Sequence, residues 1–213
     1  MAIIFPRSLP DYNLTRGTIR LVDPVASSAS HAGAKLNLSR VADPAWIFEA
    51  ETMQLWDAER RPWTAWKNSL RGGLRQFVAY DITRKPLAYP SAQAAADISV
   101  GWDGTATVSN LGLSGELGLS GLPSTYQVSV GDRIGLEEGG AYGYYEVIED
   151  AAAVAGAVTV TVAPLLHLSI FTNAAVARLW LPLAKFVLDW QSWSEETIGG
   201  PSSISFTAYQ RVM

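Results

Sequence analysis

The chain has 213 residues, enough for one large β domain or two small ones, and 48% are hydrophobic against 17% charged, where an average soluble domain has roughly 25% charged. A surface this poor in charge points to burial against partners, and hence to an assembly subunit. A net charge of −4 leaves no electrostatic footprint for nucleic acid or an anionic membrane, and zero cysteines exclude disulfides, a thiol nucleophile and zinc–thiolate sites.

The start, Met1 to Pro10, lacks the charged region, apolar core and cleavage site of a signal peptide, and no run approaches the roughly 18 apolar residues of a membrane span. A soluble, non-exported protein without membrane insertion is expected. Residues 1–50 alternate short β-like runs with polar breaks: Ile3 to Phe5, Gly17 to Val22, Lys35 to Ser39 and Ala45 to Glu49. Leu36 and Leu38 share a face, the period-2 signature of a half-buried strand. The Ser- and Ala-rich segment Asp23 to Gly33 reads as a loop or hairpin tip, too polar and small to be core.

Residues 57–73 read as a helix, with Pro62 suited to a first helical position and Trp63, Trp66 and Leu70 recurring on one face. Lys67, Asn68 and Arg71 fall on the outer side. Gly72-Gly73 supplies a left-handed stop, and Leu74 to Tyr80 returns to an extended reading. The Pro, Ser and Ala of Pro86 to Asp97 mark a linker. Leu111 to Leu122 is a near-repeat, LGLSGE then LGLSGL, too short for a solenoid; it reads as a mobile hairpin or an exposed apolar loop. Val128 to Leu136, Tyr142 to Ile148 and Val158 to Val162 read as strands of a small antiparallel barrel or sandwich. Beyond Pro182, Phe186, Leu188 and Trp190 alternate, as do Ile204, Phe206 and Ala208 after the turn at Gly199-Gly200-Pro201. The expected fold is mainly β: an antiparallel β sandwich with one short helix, plus an inserted small β barrel or sandwich domain. Residues 1–90 and 183–213 form the first domain, and residues 98–182 the inserted or peripheral one.

Eight tryptophans are many for this length. Trp190 and Trp193, like Trp63 and Trp66, suit either a sugar-stacking platform or the core and subunit contacts that tryptophan also favours. His31 and His167 have no partner at the spacing of a helical metal pair. Asp132, Glu137, Glu138, Glu146, Glu149 and Asp150 do not match a calcium loop. Glu195 and Glu196 would point to opposite faces of a strand, so they cannot flank one bond there, and a solvated turn is the plainer reading. Gly112 to Gly121 lacks the lysine and hydroxyl of a phosphate loop, and no Gly-x-Ser-x-Gly elbow occurs. The basic cluster Arg60, Arg61, Arg71 and Arg75 suits an acidic neighbour across a subunit contact or a solvated helix face. No catalytic, cofactor or metal site is expected, and the chain does not read as an enzyme.

The run Trp63 to Asp81, followed by Pro86 and Pro90, resembles a pattern in phage tail-tip proteins, in which a helix ending in Leu-Arg-Gly leads into a strand with an aromatic residue and an acidic turn. The run from Val130-Gly131-Asp132 to Tyr145-Glu146-Val147, then Gly156 to Val162 and Pro164-Leu165-Leu166, resembles a small β module of the same proteins. Over residues 45–90 and 128–166 the chain thus resembles bacteriophage distal tail proteins. That resemblance implies a ring, usually a hexamer, between tail tube and tip, with an outward β domain. Its partners would be copies of itself, the tail tube protein and the tail-tip and hub proteins. It would reside in the virion tail after synthesis in the bacterial cytoplasm, with Trp63, Trp66 and Arg71 near subunit contacts. The Gly-Leu repeat at 111–122 departs from the family. A carbohydrate-binding β module using the rings at 142–145 or 190–193, and a tail tube or connector protein, are the alternatives.

Overall fold

The computed structural model describes residues 3–10, 13–29, 36–89, 102–197 and 200–213. The fold is mainly β, with several sheets and one short α-helix among the described residues. Strands from both ends of the chain meet in a seven-stranded sheet. They are β1 (Arg7–Ser8), β2 (Leu14–Val22), then, past the ribbon strands β3 (Val25–Ala29) and β4 (Leu36–Arg40), β5 (Ala45–Thr52) and β6 (Gln76–Ala79). The middle of the chain supplies β7 (Thr105–Leu111), β8 (Glu116–Ser120), β9 (Gln127–Val128), β10 (Arg133–Glu138), β11 (Ala141–Val147), β12 (Ala151–Ala152), β13 (Ala157–Ala163) and β14 (Val176–Arg178). The C-terminal part returns to the first sheet with β15 (Ala184–Leu188), β16 (Ser194–Thr197) and β17 (Ser202–Gln210). The order is β1-β6-β15-β17-β5-β2, with β16 also on β17. Most of the Pro86 to Asp97 linker and His31 lie outside the described residues.

Alternation puts the apolar side chains of this sheet on one face. Trp46, Phe48 and Ala50 of β5, Ile204, Phe206 and Ala208 of β17, Phe186 of β15 and Phe77 of β6 are all buried there. Glu49, Ser205 and Thr207 take the opposite, half-exposed face, the pattern of an antiparallel sheet with one wet side. The helix α1 (Asp57–Ser69) lies over the apolar face. It begins at Asp57, where the sequence reading also begins it, but Pro62 sits inside it rather than at its first position. The start is set by Glu59, whose carboxylate accepts the Trp56 N–H at 3.0 Å, and by two acidic residues in the first turn that favour a helix N-terminus. Pro62 cannot donate to the Ala58 carbonyl, and Ala58 is on the exposed side of the helix, where a carbonyl left without its helical donor costs little. The stop falls where expected: Arg71, Gly72 and Gly73 are left-handed, at φ 49°, 68° and 90°.

The outer edge of β2 is covered rather than open. Asp81 accepts the Ile19 N–H at 2.7 Å and the Thr83 N–H at 2.8 Å, while the Ile82 N–H donates to the Gly17 carbonyl at 3.0 Å. A buried carboxylate thus satisfies an edge that would otherwise offer itself to another strand.

The middle strands pair in a circuit that closes on itself, β10-β11-β13-β8-β7-β14. Val158, Val160 and Val162 point inward while Thr159 stays exposed. The Gly-Leu repeat is not an exposed apolar loop: it forms the β7–β8 hairpin, and Leu117 and Leu119 are buried in the interior. Only Leu113, in the turn, is left out at 85% exposure. Tight packing explains the glycines here, since a Cβ on Gly118 would lie 2.7 Å from Ser109 Oγ.

Beyond the sheet, the β2–β5 hairpin continues as a two-stranded ribbon, β3–β4, paired from Val25↔Arg40 to Ala29↔Leu36. Asp23-Pro24 on one side and Val41 to Pro44 on the other interrupt the ladder, because prolines cannot donate to it. The Val41 N–H to Pro24 carbonyl bond, 2.9 Å, holds the break together. Of residues 23–33, expected to be loop or hairpin tip, Val25–Ala29 form a strand, and residues 30–33 lie outside the described residues. The expectation that Leu36 and Leu38 lie on a half-buried strand is corrected: both strands are exposed at every position.

Candidate functional site

Trp63 and Trp66 sit on the inner side of α1, at 1% and 0% exposure. Their indole nitrogens donate to Asn13 Oδ1 at 3.3 Å and to the Ser8 carbonyl at 2.9 Å. Side chains so enclosed have no area to present to another subunit. Arg71 lies beyond the helix end, exposed, with no ion-pair partner among the described residues. The structure therefore does not bring the three together on one surface.

The rest of the basic cluster is engaged within the chain. Arg60 bridges Asp57 at 2.8 Å and Glu195 at 3.0 Å, Arg61 pairs with Asp57, and the Arg75 guanidinium lies 4.4 Å from the Phe5 ring. Hydrogen bonds from Arg60 and then Arg61 hold the Asp57 carboxyl below its ordinary range. Glu195 and Glu196 stand on β16, a short strand rather than a turn, and alternate along it.

The rings of the candidate sugar platform are engaged in part from within the chain, with Trp193 half-buried and Trp190 exposed at 38%. Lys67 Nζ lies 4.5 Å from the Trp190 ring and 4.8 Å from that of Trp193, and Trp193 stacks on Phe206 with centroids 5.5 Å apart. At the other candidate platform, Tyr144 and Tyr145 are buried, and burial pushes the Tyr145 hydroxyl up to about 12.

Where the seven-stranded sheet meets the closed one, Trp46 Nε1 donates to the Tyr144 carbonyl at 2.5 Å. Arg133 stacks 4.4 Å over Trp46 and binds Glu146 at 2.7 Å. Lys185 of β15 reaches the Gly140 carbonyl at 2.8 Å, and its burial lowers the ammonium pKa. Asp132, in the Gly-Asp turn, accepts N–H groups from Leu87 at 2.9 Å and Ser129 at 2.8 Å. Two buried polar atoms at this joint, Tyr144 Oη and Arg133 Nε, have no hydrogen-bond partner among the described residues.

Beside the joint, at the foot of the ribbon, a cleft of about 410 Å³ opens between Leu21, Asp23, Arg40 and Pro44 on one side and Ile148, Leu165, Leu166 and His167 on the other. The Arg40–Asp23 ion pair, 3.0 Å, forms part of its wall. Clefts between structural units are frequent binding sites, and this one offers an apolar floor with a charged rim. No protein-family model and no curated protein matches this chain. Among the described residues no group of three or more His, Asp or Glu side chains converges as metal ligands, and no helix is long and apolar enough to cross a membrane.

Sequence reasoning missed Asp81, Trp46 and the cleft. The two prolines at 24 and 44 were a legible sign that the hairpin breaks there. Nothing local marks Asp81 as an edge cap or Trp46 as a joint, because their partners lie 62 and 98 residues away.

Proposed function

We propose that this chain is a structural subunit of a phage tail tip, assembling into a ring of about six copies that joins the tail tube to the receptor-binding tip. One observation supports this reading most. The helix–Gly-Gly–strand run that resembles distal tail proteins lies in the seven-stranded sheet, while the run resembling their small β module lies in a separate closed sheet. In this reading residues 1–90 and 183–213, a sheet with α1 over its apolar face, stand as the ring-forming sandwich. Residues 98–182 are the inserted small barrel. Copies of the chain, the tail tube protein and hub proteins are the partners. The sugar-binding alternative is weaker, since Lys67 and Phe206 already pack on the rings it needs.

Light scattering of the purified chain, with negative-stain images of the same sample, tests the reading. Closed rings of uniform diameter are expected. A chain that stays monomeric at high concentration overturns it, and open-ended tubes replace it with the tail tube alternative. Arg71→Glu reports on the contact: assembly weakens while thermal stability stays unchanged if Arg71 meets a neighbouring copy.

A further inference from the structure

Lys185 of β15 is only 4% exposed, and among the described residues no carboxylate pairs with it. Lysine is almost never enclosed unless it is paired, because a charge taken out of water needs a compensating one. Its ammonium carries three donors. The structure offers it one acceptor, the Gly140 carbonyl at 2.8 Å, and the face of Tyr142, whose ring centroid is 5.6 Å away. That carbonyl belongs to the turn between β10 and β11, where Gly139 and Gly140 are both left-handed, at φ 56° and 83°.

Arg211 brings a second positive charge to the same place. Phe186 pairs with Gln210, and the ladder runs one step further, with the Arg211 N–H donating to the Lys185 carbonyl at 2.8 Å. Residues directly opposite in an antiparallel pair share a face, and like charges there repel. Burial, and after it the Arg211 charge, lower the Lys185 pKa. The Tyr142 N–H donates to the Val212 carbonyl at 2.9 Å, so the backbone of residues 211–212 is held to both sheets at this point. Glu137, cross-strand from Tyr142, is already neutralised by Arg178 at 3.0 Å. Arg211 itself is exposed and has no ion-pair partner among the described residues.

We propose that Lys185 and Arg211 bind a small oxyanion, a phosphate or carboxylate group, at the joint between the two sheets. Lys185 supplies the ammonium N–H groups that the Gly140 carbonyl leaves free, and Arg211 a planar fork that matches two oxygens. The exposed guanidinium is the side from which the ion enters. Its charge offsets the repulsion between the two cations and favours the protonated lysine. Binding needs a single chain and does not depend on assembly.

The probe is inorganic phosphate, added to the full-length chain and compared with sodium chloride at equal ionic strength. Phosphate also stabilises proteins generally, by exclusion from their surface, so the variants carry the test. The wild type is expected to melt about 2–4 °C higher in saturating phosphate than in chloride. Arg211→Gln, at an exposed position, is expected to fold as the wild type does and to lose most of that rise. Lys185→Met keeps the aliphatic stem, removes the buried charge, and is expected to lose the rise altogether. Lysine-labelled NMR gives a second readout: phosphate should raise the Lys185 pKa by about one unit in the wild type and leave it unmoved in Arg211→Gln. If Lys185→Met does not fold, Arg211→Gln and the NMR titration decide the matter. An equal phosphate response in wild type and variants overturns the site, and so does a wild-type Lys185 pKa that phosphate does not change.

Discussion

Trp46 on β5 and Tyr144 on β11 meet edge to face, their ring centroids 5.2 Å apart, with the Trp46 indole N–H bonded to the Tyr144 carbonyl. One residue belongs to the seven-stranded sheet and the other to the closed sheet, yet Tyr144 packs in the core of the first. The joint is thus a continuation of a hydrophobic core, and a single cooperative unfolding transition is expected.

The two residues should respond to mutation with opposite signs. Trp46→Phe strips a buried carbonyl of its donor and shrinks the ring beneath Arg133; it should cost about 2–3 kcal/mol. Tyr144→Phe removes a buried hydroxyl that has no hydrogen-bond partner among the described residues, and should leave stability unchanged or raise it by up to about 1 kcal/mol. Urea unfolding of both variants checks this. A clear loss in Tyr144→Phe would reveal a partner for the hydroxyl.

Trp66 touches Trp63, Phe77 and Phe206 at centroid distances of 5.9, 5.0 and 5.8 Å. Trp66→Ala should cost about 3–5 kcal/mol through the cavity it leaves. Arg71→Ala, at the exposed end of the same helix, should stay within about 0.5 kcal/mol. Chemical denaturation separates the two at once; similar values would contradict the placement of Trp66 as core.

Gly72 and Gly73 are both left-handed, but only one is crowded. A Cβ on Gly73 would lie 2.7 Å from the Leu188 carbonyl oxygen, whereas nothing lies within 4 Å of one on Gly72. Gly72→Ala should therefore cost only the backbone strain, about 1 kcal/mol. Gly73→Ala should cost distinctly more, because β15 must move. Equal melting temperatures for the two variants would refute the clash.

Burial pushes the Asp132 carboxyl above its ordinary value of 3.8, outweighing the N–H groups of Ser129 and Leu87 that favour the charged form; the Asp150 charge adds to the rise. Between 3.8 and the raised value the folded chain holds more proton than the unfolded one, so this group's contribution to stability falls as pH rises. Asp132→Asn should remove that slope. At neutral pH it should also cost about 1–2 kcal/mol, because an amide cannot accept from both backbone donors with its two terminal atoms. The difference in unfolding free energy between variant and wild type, measured from about pH 4 to 7, isolates the effect from the other carboxylates.

Local pattern carried the sequence reading wherever a residue's role depends on its neighbours in the chain. The period of Trp63, Trp66 and Leu70 marked the inner face of α1, the paired glycines after Arg71 marked its end, and the alternation of Val158, Val160 and Val162 marked β13, because helix and strand geometry repeat over a few residues. Composition set Pro62 at a helix start, but the acidic residues before it had the stronger claim, and only the formed turn at Asp57 decided between them. Leu117 and Leu119 read as part of a mobile hairpin or an exposed apolar loop because glycines surround them; the β7–β8 hairpin forms, and closure of the sheet turned them inward.

What tertiary structure alone decided is where pairs distant in sequence meet. Asp81 became the cap of β2, Trp46 the joint to Tyr144, and Leu36 and Leu38 a face left open, since burial is a property of what folds over a side chain and not of the side chain itself.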